Sequence, residues 1–132
     1  MLKGENIQLR ALEPSDLETL YHWENDTNIW KVSQTIAPFS KHVLTQYLAN
    51  AHQDIFTAKQ LRLIIEKERK SIGTIDLFDF EPTHQRASVG IWIADESERQ
   101  KGHAKEALQL LIHYAFKQLQ LKQIYCNISV FF

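Results

Sequence analysis

The residue types best suited to chemistry cluster in Arg99-Gln100-Lys101-Gly102-His103-Ala104. Arg99, Lys101 and Lys105 bring positive charge to one turn, and Gly102 lies among them. Beyond it, Ala104, Ala107, Leu108, Leu111, Ile112, Ala115, Phe116 and Leu119 recur at helical spacing, so a helix starts near Gly102. The first N–H groups of a helix lack intrahelical acceptors and carry partial positive charge. Gly102 has no Cβ, so a ligand can approach the backbone closely there. Bare backbone, free N–H donors and formal charge at one helix start suit a phosphate-bearing ligand. A nucleoside triphosphatase loop is excluded, because no G-x-x-x-x-G-K-[ST] run exists and Lys101 precedes its glycine.

Other elements must hold that turn in place. Ala87 to Ala94 reads as a strand feeding into it. Ile7 to Leu12 alternates apolar and polar residues and reads as an opening strand. Pro14-Ser15-Asp16 signals a helix start, with Leu17, Leu20 and Tyr21 forming its apolar face. Ser40 can cap a second helix whose apolar side is Val43, Leu44, Tyr47, Leu48 and Ala51. Gln60 to Glu66 and Ser71 to Phe80 are strands joined by the polar turn Lys67-Glu68-Arg69-Lys70, with Gly73 a bulge or close-approach point. Glu81 to Arg86 is a loop, and Gln123 to Val130 is a last strand. The order is βααβββαβ: an α/β fold with a mixed sheet and helices on both faces. Residues 1–132 form one domain, large enough for a single core.

Composition narrows the partners. A net charge of −1 argues against a nucleic-acid or membrane-surface binder, which usually needs a basic excess. The single cysteine, Cys126, fits a reducing cytoplasm and is expected to be a small buried residue of the last strand. No basic-plus-apolar leader opens the chain and no apolar run reaches membrane-spanning length, so neither a signal peptide nor a membrane segment is expected. The six histidines show no paired spacing for a metal. His103 reads as an exposed helix-start residue, and Trp23 and Trp30 as packing residues that could line an acceptor pocket.

The run from Gly90 to Ala104 resembles the acetyl-coenzyme A loop of the GNAT N-acetyltransferase superfamily, Q/R-x-x-G-x-G/A, with Arg99, Gly102 and Ala104 at the defined positions. Ile7-Gln8-Leu9-Arg10-Ala11-Leu12-Glu13-Pro14-Ser15-Asp16-Leu17 and Tyr21-His22-Trp23 are similar to the branch containing ribosomal-protein alanine and spermidine N-acetyltransferases. The resemblance implies transfer of an acetyl group from acetyl-coenzyme A to a primary amine, on a protein N-terminus or a small molecule. It implies that the pantetheine arm lies along Trp92, Ile93 and Ala94, where a backbone N–H polarises the thioester carbonyl. It also implies that the pyrophosphate rests on Arg99, Gln100, Lys101, Gly102, His103 and Ala104. The catalytic base stays open among Asp76, Asp79, Glu81 and His84.

The chain departs from the family pattern in three places. It ends at Phe131-Phe132, where relatives continue into a helix carrying a proton-donating Tyr and further strand, so the domain is expected to be truncated and weak or inactive as a catalyst. Ser88 stands where many relatives place a Glu. Val32 to Phe39 lacks the acidic residues of relatives that act on polyamines, which disfavours spermidine. Two readings follow: an acetyl-coenzyme A-dependent N-acetyltransferase, or a non-catalytic acyl-coenzyme A-binding remnant. The apolar last strand, Gln123 to Val130, and the Phe131-Phe132 end carry no Pro and no charge after Lys122, and are expected to pair with a second copy, giving a homodimer or aggregate with contacts from Gln123 to Phe132.

Overall fold

The computed structural model describes residues 1–27 and 37–126. Its contacts divide the chain into two compact units, one of residues 1–11 with 54–126 and one drawn from residues 12–53. The first unit is built on a six-stranded sheet in the order β1-β2-β3-β4-β5-β6. The strands are β1 (Leu2–Lys3), β2 (Gln8–Ala11), β3 (Leu61–Lys67), β4 (Lys70–Glu81), β5 (Arg86–Ile93) and β6 (Gln123–Tyr125). Neighbours are antiparallel except β5 and β6, which run parallel. A parallel pair needs a crossover, and the helix α4 (His103–Lys117) lies between the two strands in sequence.

Strand alternation sorts the side chains into two faces. Three cross-strand rows, Leu61–Leu77–Val89, Leu63–Ile75–Ile91 and Ile65–Gly73–Ile93, fall on one face. Their apolar members join one core with Ala107, Leu111 and Ala115 of α4 and Ile55 of the short helix α3 (Ile55–Ala58). The opposite face carries the row Arg62–Asp76–Gly90. There the Arg62 guanidinium grips the Asp76 carboxylate at 2.8–3.1 Å.

Two local features set the geometry near the end of β5. The β3–β4 turn puts Glu68 and Arg69 in the left-handed region, at φ 50° and 66°, which matches the twist of a two-residue hairpin. Behind it the register slips between Ile65 and Glu66, leaving Ile72 as the extra residue of a bulge. The freed Ile72 carbonyl accepts from the Ala94 and Asp95 N–H groups, at 2.8 and 3.2 Å, and so fastens the end of β5 to β4. A Cβ at Gly73 would collide with the Trp92 carbonyl, so glycine is required for this close approach.

The second unit holds α1 (Leu17–Glu24) and α2 (Lys41–Ala49). Pro14–Asp16 form a 3-10 turn ahead of α1, and the Asp16 carboxylate accepts from Glu13 N–H at 2.7 Å. Leu20, Leu44 and Leu48 form its core, with Leu12, Leu17, Tyr21, Trp23 and Phe39 packed around them. Ser40 caps α2 through a 3.1 Å bond from Val43 N–H. Asn25 bonds Tyr21 O and both backbone groups of Phe39 at 2.7–3.1 Å, joining the end of α1 to the approach to α2.

Several expectations are corrected. Val43, Ile112 and Phe116 are exposed rather than facing a core, because helical periodicity marks a broad stripe and only its centre meets a neighbour. The short elements β1 and α3 carry too few residues for a periodic signal. Cys126 is exposed and lies just past the end of β6. Trp30, and the last strand beyond residue 126, lie outside the described residues. Among the described residues no helix is long and apolar enough to cross a membrane.

Glu106 ties the chain's start to α4. Its carboxylate accepts from Asn6 N–H, Asn6 Nδ2 and Ile7 N–H, each at 3.0 Å. Desolvation pushes its pKa up, but these donors hold it below the ordinary 4.5. Charge-assisted bonds of this kind stabilise by roughly 1.5–3 kcal/mol each when buried, and less when part-exposed. Glu106→Ala is expected to lose about 2 kcal/mol in urea unfolding. A loss below about 0.5 kcal/mol, the range of ordinary surface changes, would mean the N-terminal turn is held by other contacts.

Candidate functional site

The candidate site begins with an incompletely paired strand. Among the described residues β5 pairs with β6 at Arg86, Ala87 and Ser88, while on its other edge it pairs with β4 up to Ile93. From Val89 to Ile93 the outer edge has no strand partner among the described residues. Trp92 directs its carbonyl toward β4, as the clash with a Gly73 Cβ shows. Alternation therefore turns the N–H and C=O groups of Ile91 and Ile93 to the open side. The Ile93 carbonyl accepts from Arg99 Nε at 2.8 Å, and among the described residues the Ile91 N–H, Ile91 C=O and Ile93 N–H have no strand partner.

The turn after β5 is held by acidic side chains. The Asp95 carboxylate accepts from Ser97 N–H at 3.0 Å and Ser97 Oγ at 2.7 Å, capping the 3-10 turn Glu96–Glu98. It also pairs with Lys70 at 2.8 Å. The chain then passes through left-handed Gln100 (φ 62°) and Gly102 (φ 82°) into α4. Glu106 is the first residue of α4 to bond back, to Gly102 O at 3.1 Å. The N–H groups from Gly102 to Lys105 thus have no intrahelical acceptor. A Cβ built at Gly102 would have no atom within 4 Å, so the space before these donors is open.

Glu98 is the electrostatic centre of the turn. Its carboxylate takes Lys67 Nζ at 2.9 Å, His103 Nε2 at 3.0 Å and Lys101 Nζ at 3.6 Å. The hydrogen bond from Lys67, helped by His103 and Lys101, holds its pKa below the ordinary 4.5. His103 is 5% exposed, which corrects the expectation of an exposed side chain. A buried imidazole needs a polar partner, and Glu98 supplies it across the turn.

Strand edge, turn and helix start enclose a cleft of about 330 Å³ lined by Ile91, Trp92, Ile93, Glu98, Arg99, Gln100, Gly102, His103 and Ala104. The predicted set is brought together except for two members. Ala94 does not line the cleft, because its N–H is bound to Ile72 O across the bulge. Lys101 does not line it either, because Glu98 draws its amine aside. Ile91 and Glu98 were missed. Strand alternation from Ile93 could have found Ile91. Glu98 gives no sequence signal, since its partners come from three separate positions.

The candidate bases do not reach the cleft lining. Asp76 is engaged by Arg62, and Glu81 pairs with Arg86 at 2.7 Å, a hydrogen bond that lowers its pKa. Asp79 is an exposed left-handed residue at φ 50°, and His84 is exposed.

The fold is a mixed α/β sheet that brings a strand edge beside a helix start, an arrangement of backbone donors suited to an extended, phosphate-bearing ligand. A model of the acetyltransferase (GNAT) domain matches residues 6–130, and the chain belongs to this family of acetyl-coenzyme A-dependent enzymes. It is similar to spermidine N(1)-acetyltransferase of Vibrio cholerae serotype O1, at 30% identity over 128 residues, covering 96% of this chain and 72% of the relative. The Escherichia coli K12 spermidine N(1)-acetyltransferase is 26% identical over 125 residues, covering 95% of this chain and 65% of the relative. A solved structure of the Vibrio cholerae spermidine N-acetyltransferase in complex with CoA and spermine matches with a TM-score of 0.82 at 28% identity, over 96% of this chain and 73% of that one.

The Asp95 cap generates an acid-stability prediction. Hydrogen bonds from Lys70 and Ser97 lower its pKa from 3.8 to about 2. A depressed carboxylate pKa contributes stability that is present above the unfolded value and lost as pH falls through the folded one. Wild-type protein is therefore expected to lose stability from this group between about pH 4 and pH 2. Thermal melts across that window should show a shallower slope for Asp95→Asn. An identical slope would mean the cap does not persist in solution.

Proposed function

We propose that this chain is an N-acetyltransferase domain that binds acetyl-coenzyme A in the cleft between the open edge of β5 and the start of α4, and passes its acetyl group to a primary amine. The carrying observation is the meeting of the two kinds of backbone donor in one cleft: the Ile91 and Ile93 N–H groups and the first N–H groups of α4. The donor set fits the group. An extended arm carrying amides can add to β5 as a further strand, and a diphosphate can lie on the helix start. The family match runs through both units of the chain, which supports one catalytic domain over the whole length.

The cofactor supplies an activated acyl thioester. The protein's part is to orient it and stabilise developing charge. The Ile91 and Ile93 N–H groups are the donors that would face a bound thioester oxygen, where they would stabilise developing negative charge. Trp92 and Ile93 wall the cleft and limit water around the reacting carbonyl. The acceptor must arrive as a neutral amine, and with Asp76 and Glu81 engaged by arginines no base is assigned. Two relatives named for spermidine support a polyamine, whereas the neutral run Val32 to Phe39 argues against one. The acceptor class is a small-molecule amine or a protein N-terminus. The reading places the protein in the cytoplasm, whose reducing conditions keep the exposed Cys126 thiol free.

A homodimer through the outer edge of β6 belongs to the same proposal. β6 is last in the sheet order, and among the described residues it pairs with β5 alone. Sedimentation at micromolar concentration tests it, and a clean monomer would remove it.

Two measurements test the main proposal. Thiol release from acetyl-coenzyme A should depend on added amine, with spermidine and an N-terminal peptide as the two probes. No amine-dependent release in a protein that binds coenzyme A would favour the non-catalytic binding reading. Gly102→Val should abolish coenzyme A binding by filling the space before the helix donors. It should also destabilise the fold by roughly 1–2 kcal/mol, because φ 82° suits glycine. Gly102→Asn tolerates that backbone better and isolates the effect of the side chain. Unchanged affinity in folded Gly102→Val would move the diphosphate elsewhere.

A further inference from the structure

Glu98 is an unexpected lining residue for a cleft suited to anions. Its side chain is 14% exposed and faces the opening beside Arg99, Gln100 and Gly102. It binds two ammonium groups and an imidazole, from the end of β3, the turn and the start of α4. Arg99 is meanwhile held by the Ile93 carbonyl and lies 3.9 Å from Glu96. Three cationic or N–H donors next to the helix start are therefore already occupied by a carboxylate of the protein itself. The depressed pKa of Glu98 agrees with a carboxylate that stays charged at neutral pH.

We propose that Glu98 is a built-in counter-anion of the cleft, which occupies Lys67, Lys101 and His103 and thereby weakens the hold on a phosphorylated ligand and sets its salt sensitivity. The inference rests on the reading of the cleft as an acetyl-coenzyme A site. Its physical basis is competition: one ammonium cannot sit against Glu98 and a diphosphate at full strength, and a fixed carboxylate at the cleft wall repels an arriving anion. An acyl donor would then be chosen by its pantetheine arm along β5 as well as by its charge.

The test is calorimetric titration of Glu98→Gln with coenzyme A and with pantetheine, which carries no phosphate. Glutamine keeps the shape and one acceptor oxygen but removes the charge. Coenzyme A is expected to bind about three- to tenfold more tightly, with a steeper fall in affinity on adding salt, while pantetheine affinity is unchanged. Lys101→Met should cost less than about twofold in the wild-type background, where Glu98 already holds the amine, and clearly more in Glu98→Gln. Equal or weaker coenzyme A binding by folded Glu98→Gln, or additive effects in the double variant, would overturn the inference. Should Glu98→Gln fail to fold, Glu98→Ser is titrated in its place: tighter coenzyme A binding with unchanged pantetheine affinity supports the inference, and equal or weaker coenzyme A binding overturns it. Wild-type protein that binds no coenzyme A would instead overturn the reading of the cleft, and the inference with it.

Discussion

The backbone of β5 is bonded along one edge to β4 as far as Ile93 and, among the described residues, along the other to β6 as far as Ser88. Much of the candidate site depends on this unequal pairing. A fully paired strand would have no free N–H groups to offer, and an unpaired one would have no fixed direction. The bulge at Ile72 secures the arrangement by binding the Ala94 and Asp95 amides, so β5 ends at a defined point and the turn leaves from there. Gly73 allows the two backbones to approach at that point. The left-handed residues Gln100 and Gly102 then bring the start of α4 to the same cleft.

Acidic residues do much of the holding around a site that suits anions. Asp95 caps the turn, Glu98 gathers Lys67, Lys101 and His103, and Glu106 anchors the chain's first residues to α4. Lys67 and Lys70 flank the β3–β4 hairpin and reach Glu98 and Asp95 respectively. The hairpin thus reaches the turn through ion pairs as well as through the Ile72 carbonyl. The Lys70 pair is largely exposed and contributes little by itself, whereas the Glu98 cluster is sheltered enough to fix geometry. Ser88 lies at the last β5–β6 pair, and its hydroxyl is buried without a hydrogen-bond partner among the described residues.

The sequence by itself determined the longer elements and their order, but not the short β1 and α3. Alternation in β2, β3, β4 and β5 and the long apolar stripe of α4 are local patterns set by side-chain period, and they survive folding because burying one face dominates the energetics. The helix start at Gly102, the Ser40 cap and the close approach at Gly73 were legible for the same reason: each needs a particular residue at a particular backbone position. Most of the cleft lining was legible too, since the turn and the strand before it are contiguous in the chain. The tertiary structure alone decided which of those residues face the opening. Ala94 is lost to a bulge on β4, Lys101 is turned aside by Glu98, and His103 is buried by the same carboxylate. It also engaged Asp76 and Glu81 with Arg62 and Arg86. These outcomes depend on which donor lies within reach of which acceptor across strands and turns. Such pairings are set by distance in space, and distance along the chain does not encode them.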